Sequence, residues 1–174
     1  MALRRLTGLL SVAAGMLAGG LARADVAVPA ALAVGPDLEL VLAVHAEGVQ
    51  VYGCQPGKDN PAQLGWTLKG PEAVLFDGKG TQIGKHYFGP SWELADGSLV
   101  TGEAVAKDPG PDAGAVAWLL LKVKTNSGKG QLAKVSAVQR IETAGGQPPA
   151  GACKQGDETR SAYSATYRFF AVKS

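Results

Sequence analysis

Ala73-Val74-Leu75-Phe76, Asp77-Gly78-Lys79-Gly80, Thr81-Gln82-Ile83 is the stretch that decides the fold. Two short apolar runs flank a turn, and Asp-Gly supplies the positive φ angles that a tight hairpin needs. The same pattern continues outward. His86-Tyr87-Phe88 and Trp92-Glu93-Leu94 flank Gly89-Pro90, and Asp96-Gly97 marks a second hairpin before residues 99–105. Upstream, 38–44 and 49–52 read as strands around Gly48, and 66–69 as a short strand ending at Gly70-Pro71. Downstream, 108–112 is a rigid Pro-rich loop, 115–123 the most apolar run and 144–160 a long loop. Finally, Tyr163, Tyr167 and Phe169 alternate with Ser164, Thr166 and Arg168, as in a strand with one aromatic face. Turn residues recur about every 8–12 positions, which is the spacing of an all-β chain. Residues 113–121 and 132–141 are exceptions that read as candidate short helices. The expected fold is all-β, a single antiparallel β-sandwich or barrel with long loops. Strand order does not follow from strand count, so both architectures stay open.

The chain has 174 residues, 46% hydrophobic and 18% charged, with 24 Gly and 10 Pro. That suits one domain and excludes a coiled coil, a long helical bundle, a collagen or a highly charged disordered tail. Arg4 and Arg5 precede an uncharged stretch over 6–21, and Ala22-Arg23-Ala24 stands before Asp25, the pattern of a secretory signal peptide with its cleavage site. The apolar stretch is about the shortest that spans a bilayer, and four glycines dilute it, so a retained anchor is the lesser reading. The expected organisation is a signal peptide over 1–24 and a single β domain over 25–174, periplasmic or extracellular. Cleavage removes Arg4, Arg5 and Arg23, leaving 14 basic and 15 acidic residues and a net charge of −1. Such a domain has no basic footprint, so no nucleic-acid partner and no stable membrane insertion after cleavage are expected. Cys54 and Cys153 read as a disulfide in an oxidising compartment, the alternatives being two buried thiols or part of a metal site.

Several catalytic patterns are missing. There is no Walker A sequence, no Gly-x-Ser-x-Gly elbow and no His-Glu-x-x-His, and Gly78-Lys79-Gly80 with Gly84 has the wrong spacing for a dinucleotide fingerprint. No cofactor is expected. His45, Glu47 and His86 make a mixed metal set on paper, but nothing brings His86 to the other two, and no metal is expected. The densest constellation is His86-Tyr87-Phe88-Gly89-Pro90-Ser91-Trp92-Glu93. Aromatic faces beside a polar acceptor suit a saccharide or another flat small molecule. The competing reading makes Phe88 and Trp92 core anchors, with His86 and Glu93 fixing the turn. Arg140 and Glu142 point the same way on a regular strand and either pair with each other or leave Arg140 to clamp a carboxylate or phosphate. The candidate ligand-binding residues are therefore His86, Tyr87, Trp92, Glu93 and Arg140, in a protein that is more a binder than an enzyme. One alternative is a hydrolase using His86 or Glu93, the latter with Asp96 or Glu103 as second carboxylate. The other is a structural or stress-related envelope protein without a ligand.

The order Val51-Tyr52-x-Cys54, the 86–93 segment, Asp96-Gly97-Ser98, Pro111-Asp112-Ala113-Gly114, Ala117-Trp118-Leu119-Leu120-Leu121, Gln139-Arg140, Thr143-Ala144-Gly145-Gly146 and Cys153 resembles a secreted bacterial and fungal family catalogued as domain of unknown function 3455. The likeness spans about residues 37–170 and implies export and a single domain, with no established activity to carry over. Arg168 departs from the pattern, where an aromatic or apolar residue is expected. Some fungal relatives carry a malate dehydrogenase label. This chain offers it no support, having no dinucleotide fingerprint and too little length for two domains.

Overall fold

The computed structural model describes residues 26–58 and 60–174, so the expected signal peptide lies outside the described residues. Eight strands follow in order: β1 (Leu38–Pro56), β2 (Leu64–Phe76), β3 (Gln82–Tyr87), β4 (Ser91–Leu94), β5 (Leu99–Asp108), β6 (Trp118–Ser127), β7 (Val135–Gly145) and β8 (Glu158–Val172). Each pairs antiparallel with the next, and β8 returns to β1 to close an up-and-down barrel. The all-β reading holds, and the open choice between sandwich and barrel is resolved as a barrel.

Three local expectations change. Residues 113–121 and 132–141 form no helix; they contribute to β6 and β7 and to the segments leading into them. The run Trp118-Leu119-Leu120-Leu121 looks helical because both faces of β6 are covered. Leu121 enters the main core, while Trp118 packs outside the barrel with Leu32 and Ile141. The strands at Gly48 and at Gly70-Pro71 do not break. β1 and β2 run through both places, and a bulge between Val51 and Tyr52 absorbs the irregularity opposite Gly70. In the β2–β3 turn the positive φ falls on Gly80 at 79° rather than on Gly78, whereas Gly97 at 82° supplies it in the β4–β5 turn. Asp77 holds the first turn, its Oδ1 accepting from the backbone N–H groups of Lys79 and Thr81.

An eight-stranded barrel has an interior just wide enough to be filled by side chains. Here Val44, Leu75, Trp92, Leu94, Val100, Leu121, Val138, Tyr163, Tyr167 and Phe169 fill it. The aromatic face expected on the last strand thus points inward. Arg168 lies between Ala43 and Gln139 in the ladder, on the opposite face, and leaves that packing intact. Outside the barrel, Leu32 is fully buried against Trp118 and Ile141, and its carbonyl accepts a 2.6 Å hydrogen bond from Gln139 Nε2.

The two ends of the barrel differ. At one, the β6–β7 connection folds inward so that Leu132 is fully buried in the main core. Asp96 receives Ser98 Oγ at 2.6 Å and the Gln131 N–H at 2.8 Å, and Asn126 Nδ2 donates to the carbonyls of Leu132 and Val135. The other end carries the β1–β2, β3–β4, β5–β6 and β7–β8 connections. Its β7–β8 loop is stapled to β1 by the Cys54–Cys153 disulfide, with Cα atoms 5.9 Å apart.

That disulfide joins residues 99 apart, so in the chain-entropy picture it removes about 4–5 kcal/mol of freedom from the unfolded chain. Double replacement of Cys54 and Cys153 by Ala is expected to lower unfolding stability by about that amount, with the β-sheet circular dichroism spectrum retained. A urea midpoint equal to that of the oxidised parent protein contradicts the expectation.

Candidate functional site

The alternation of a β-strand splits the 86–93 constellation into two chemistries. His86 faces Trp92 across the β3–β4 pair and both point inward, whereas Lys85 faces Glu93 and Tyr87 faces Ser91, with Lys85, Tyr87 and Glu93 reaching outward. Of the five candidate ligand residues, His86, Trp92 and Arg140 share the barrel interior, and Tyr87 and Glu93 share its outer wall.

Inside, the His86 ring stacks on the Trp92 indole at 4.5 Å and 8° and meets Tyr167 edge-on at 4.9 Å. Nδ1 is 2.8 Å from the Ser91 carbonyl, which only accepts, so Nδ1 carries the proton. Burial pushes the His86 pKa down from 6.5 to about 3. The Ser91 hydrogen bond opposes this shift, and the positive charge of Arg140 adds to it. The imidazole is therefore neutral across the physiological range, a packed polar ring rather than a proton carrier.

Arg140 lies opposite Leu119 on β6 and Tyr167 on β8. Its Nε and Nη2 donate to the Ala117 carbonyl at 3.0 and 2.7 Å. The expected pairing with Glu142 is not formed. Glu142 takes a φ of 50° at a bulge between Ile141 and Ala144, which breaks the alternation that puts residues two apart on one face.

Outside, Tyr87 Oη donates to Glu93 Oε2 at 2.9 Å, and Lys85 Nζ lies 3.1 Å from the same oxygen and 5.4 Å from the Tyr87 ring centroid. The Tyr87 hydrogen bond and then Lys85 hold the Glu93 carboxyl below its ordinary range. This surface triad orients the Tyr87 ring. Beside it, Phe88 is 73% exposed and Leu68 51% exposed, so Phe88 is no core anchor, while Trp92 at 1% is one. Phe88 sits over Gly70, where an added Cβ would come within 3.1 Å of the Phe88 Cα, Cβ and Cδ2. A groove of about 570 Å³ runs between them, lined among others by Val51, Thr67, Leu68, Pro71, Tyr87 and Phe88. Lys69 and Glu158 pair at 2.7 Å on its wall, and Glu72, also on the wall, pairs with Arg160. Leu68 and Glu72 escaped the sequence reading because only the pairing of Glu72 with Tyr87 brings β2 beside the β3–β4 turn.

Other expected combinations are not assembled. His86 is inside and Glu93 outside, so they do not face a common substrate. Asp96 is bound to Ser98 and Gln131, and Glu103 lies 3.4 Å from Lys124. His45 and Glu47 contact each other at 3.1 Å on the exposed surface, away from buried His86. Among the described residues no group of three or more His, Cys, Asp or Glu is arranged to hold a metal ion.

His86 also sets a pH dependence. Its pKa is lower in the folded than in the unfolded state, so unfolding takes up a proton between about 3 and 6.5, and stability falls as pH drops below 6.5. The carboxylates with lowered values lose their contribution only below about 4.5. Between pH 6.5 and 4.5 the His86 contribution is expected to fall by about 2 kcal/mol, and His86→Gln is expected to flatten that slope. Chemical denaturation series at several pH values read the slope directly, and equal slopes for parent and variant contradict the assignment.

No helix among the described residues is long and apolar enough to cross a membrane. Comparison with curated proteins and with solved structures finds no match for this chain. Residues 35–171 match the family described as "Protein of unknown function (DUF3455)". The match covers most of the chain and takes in every strand but the last residue of β8. The chain is a member of the DUF3455 family.

Proposed function

We propose that this protein is exported and acts as a non-enzymatic binder of a small molecule of the saccharide class, held in the outer groove beside Phe88. The carrying observation is Phe88 itself: an aromatic ring 73% exposed yet seated against Gly70 and flanked by Leu68 and Tyr87. A solvent-facing ring fixed in place is a platform for the C–H face of a sugar, and it loses little side-chain freedom when the ligand arrives. Lys69, Glu72 and Glu158 supply donors and acceptors at the margin for hydroxyl groups. Glu93 takes part through Tyr87, whose ring it orients by their hydrogen bond.

Export rests on the leader pattern over 1–24, and the Cys54–Cys153 disulfide is what an oxidising compartment permits. N-terminal sequencing of the protein recovered from the periplasm or the medium is expected to begin at Asp25. Protein retained in the cytoplasm with Met1 intact overturns that part of the proposal.

Thermal unfolding against a panel of mono- and oligosaccharides tests the groove. A sugar at 100 times its dissociation constant adds about 2.7 kcal/mol, a rise of several degrees for a domain of this size. The rise is expected to vanish in Phe88→Ala, whose own unfolding temperature stays near that of the parent because the ring is mostly exposed. A flat panel, or a rise that survives Phe88→Ala, removes this reading.

A further inference from the structure

We propose that the barrel holds a second site, where Arg140 meets the cleft beside the β5–β6 and β7–β8 loops, for a small molecule bearing a carboxylate. The starting observation is a surplus of hydrogen-bond donors. Gln50, Tyr163 and Tyr167 are 1%, 4% and 1% exposed, and Gln50 Nε2 and both tyrosine hydroxyls have no hydrogen-bond partner. Trp92 Nε1 is a fourth such group, its ring 5.4 Å from that of Tyr167. Buried polar groups without partners are uncommon, and each is costly to leave unmade.

Tyr163 and Tyr167 lie close to Arg140, and Gln50 and Trp92 adjoin those two tyrosines. Tyr167 is the neighbour of Arg140 in the β7–β8 ladder. Gly146 ties in the rest, since a Cβ there would come within 2.8 Å of Tyr163 Cβ, 3.1 Å of Val116 Cγ1 and 3.2 Å of Gln50 Cγ. Val116 in turn lines the same cleft as Arg140. Burial raises the pKa values of Tyr52, Tyr163 and Tyr167 and lowers that of His86, and the positive charge of the nearby guanidinium pulls all four down. The Tyr163 and Tyr167 hydroxyls lie near each other and near Arg140 without closing a hydrogen bond of good geometry. Two nitrogens of the guanidinium are anchored on the Ala117 carbonyl, which fixes the fork without neutralising it. Among the described residues no carboxylate pairs with Arg140.

A fixed cation among unpartnered amide and hydroxyl donors is complementary to a group that only accepts and carries negative charge. One guanidinium is balanced by one negative charge, and a dianion would leave an excess charge in a poorly solvated interior, so a carboxylate fits better than a phosphate. Arg140 itself lines a cleft of about 360 Å³ between the β5–β6 and β7–β8 loops, together with Lys107, Asp112, Val116, Leu119 and Gln147 among others, and a ligand reaches the guanidinium there. Leu132 fills the opposite end of the barrel. This site is separate from the Phe88 groove and does not depend on it.

The test follows the Trp92 indole N–H by ¹H–¹⁵N NMR while the purified protein is titrated with acetate. Parallel titrations use acetamide, its neutral counterpart, and inorganic phosphate. Trp92→Phe assigns the resonance. A saturable shift with acetate, absent with acetamide and weaker with phosphate, is the expected result. Arg140→Gln is expected to weaken acetate binding by about tenfold or more, and Tyr167→Phe, which conserves shape, to weaken it less. Phe88→Ala is expected to leave it unchanged. No saturable shift with acetate, an equal shift with acetamide, or undiminished binding in both Arg140→Gln and Tyr167→Phe overturns the proposal. Equal or tighter binding of phosphate overturns the carboxylate assignment. If Arg140→Gln fails to fold, Tyr167→Phe decides alone.

Discussion

The pairing of the first strand with the last is the constraint on which the rest depends. β1 and β8 lie side by side from Leu38 opposite Val172 to Gly53 opposite Glu158, and this ladder turns a meander of hairpins into a closed ring. Closure removes both sheet edges and forces every residue of every strand to one of two places, a narrow interior or the outer wall. A polar side chain facing inward has then left bulk water and must find a partner or carry the cost of having none. The disulfide acts on the same join, since Cys54 follows directly on the last residues of that ladder and fastens the loop that leads into β8.

This two-way sorting explains what was legible in the residues and what was not. The hairpin at 77–80, the Asp96-Gly97 turn and the aromatic alternation at Tyr163, Tyr167 and Phe169 are local patterns, and local patterns survive into the fold. The choice between sandwich and barrel was not legible, because it hangs on a contact between residues more than a hundred positions apart. The apolar run at Trp118 to Leu121 imitated a helix because the N-terminal segment covers the outside of β6, and a strand buried on both faces loses its period of two. Glu142 misled for a different reason: a single residue at positive φ is enough to undo the rule that placed it beside Arg140.

The candidate residues were found as a cluster in sequence and are resolved as two clusters in space. His86 and Trp92 are a stacked, buried pair, and their neighbours Tyr87 and Glu93 are a hydrogen-bonded pair on the other side of the same strands. Nothing in residue types or spacing distinguishes the two sides of β3, since a polar His points in and an aromatic Tyr points out. Phe88 shows the same limit. Its exposure comes from the turn at Gly89-Pro90, where the strand ends before the ring can be tucked beneath it.

A barrel interior made only of residues like Leu75, Val100 and Phe169 would be the more stable choice, because replacing buried polar groups by well-packed apolar ones is often neutral or favourable. One half of this barrel follows that rule: it is apolar, and Leu132 fills its end. The other half places Arg140 on the cleft between two loops and holds Gln50, Tyr163 and Tyr167 as buried, unpartnered polar groups. The contrast within one barrel separates the two roles. Packing alone accounts for the closed half, and the open half carries polar groups that packing does not need. Each of them can donate a hydrogen bond, which is the ground for proposing a carboxylate as their partner. The disulfide fastens the same β7–β8 loop that places Gln147 on the wall of the cleft.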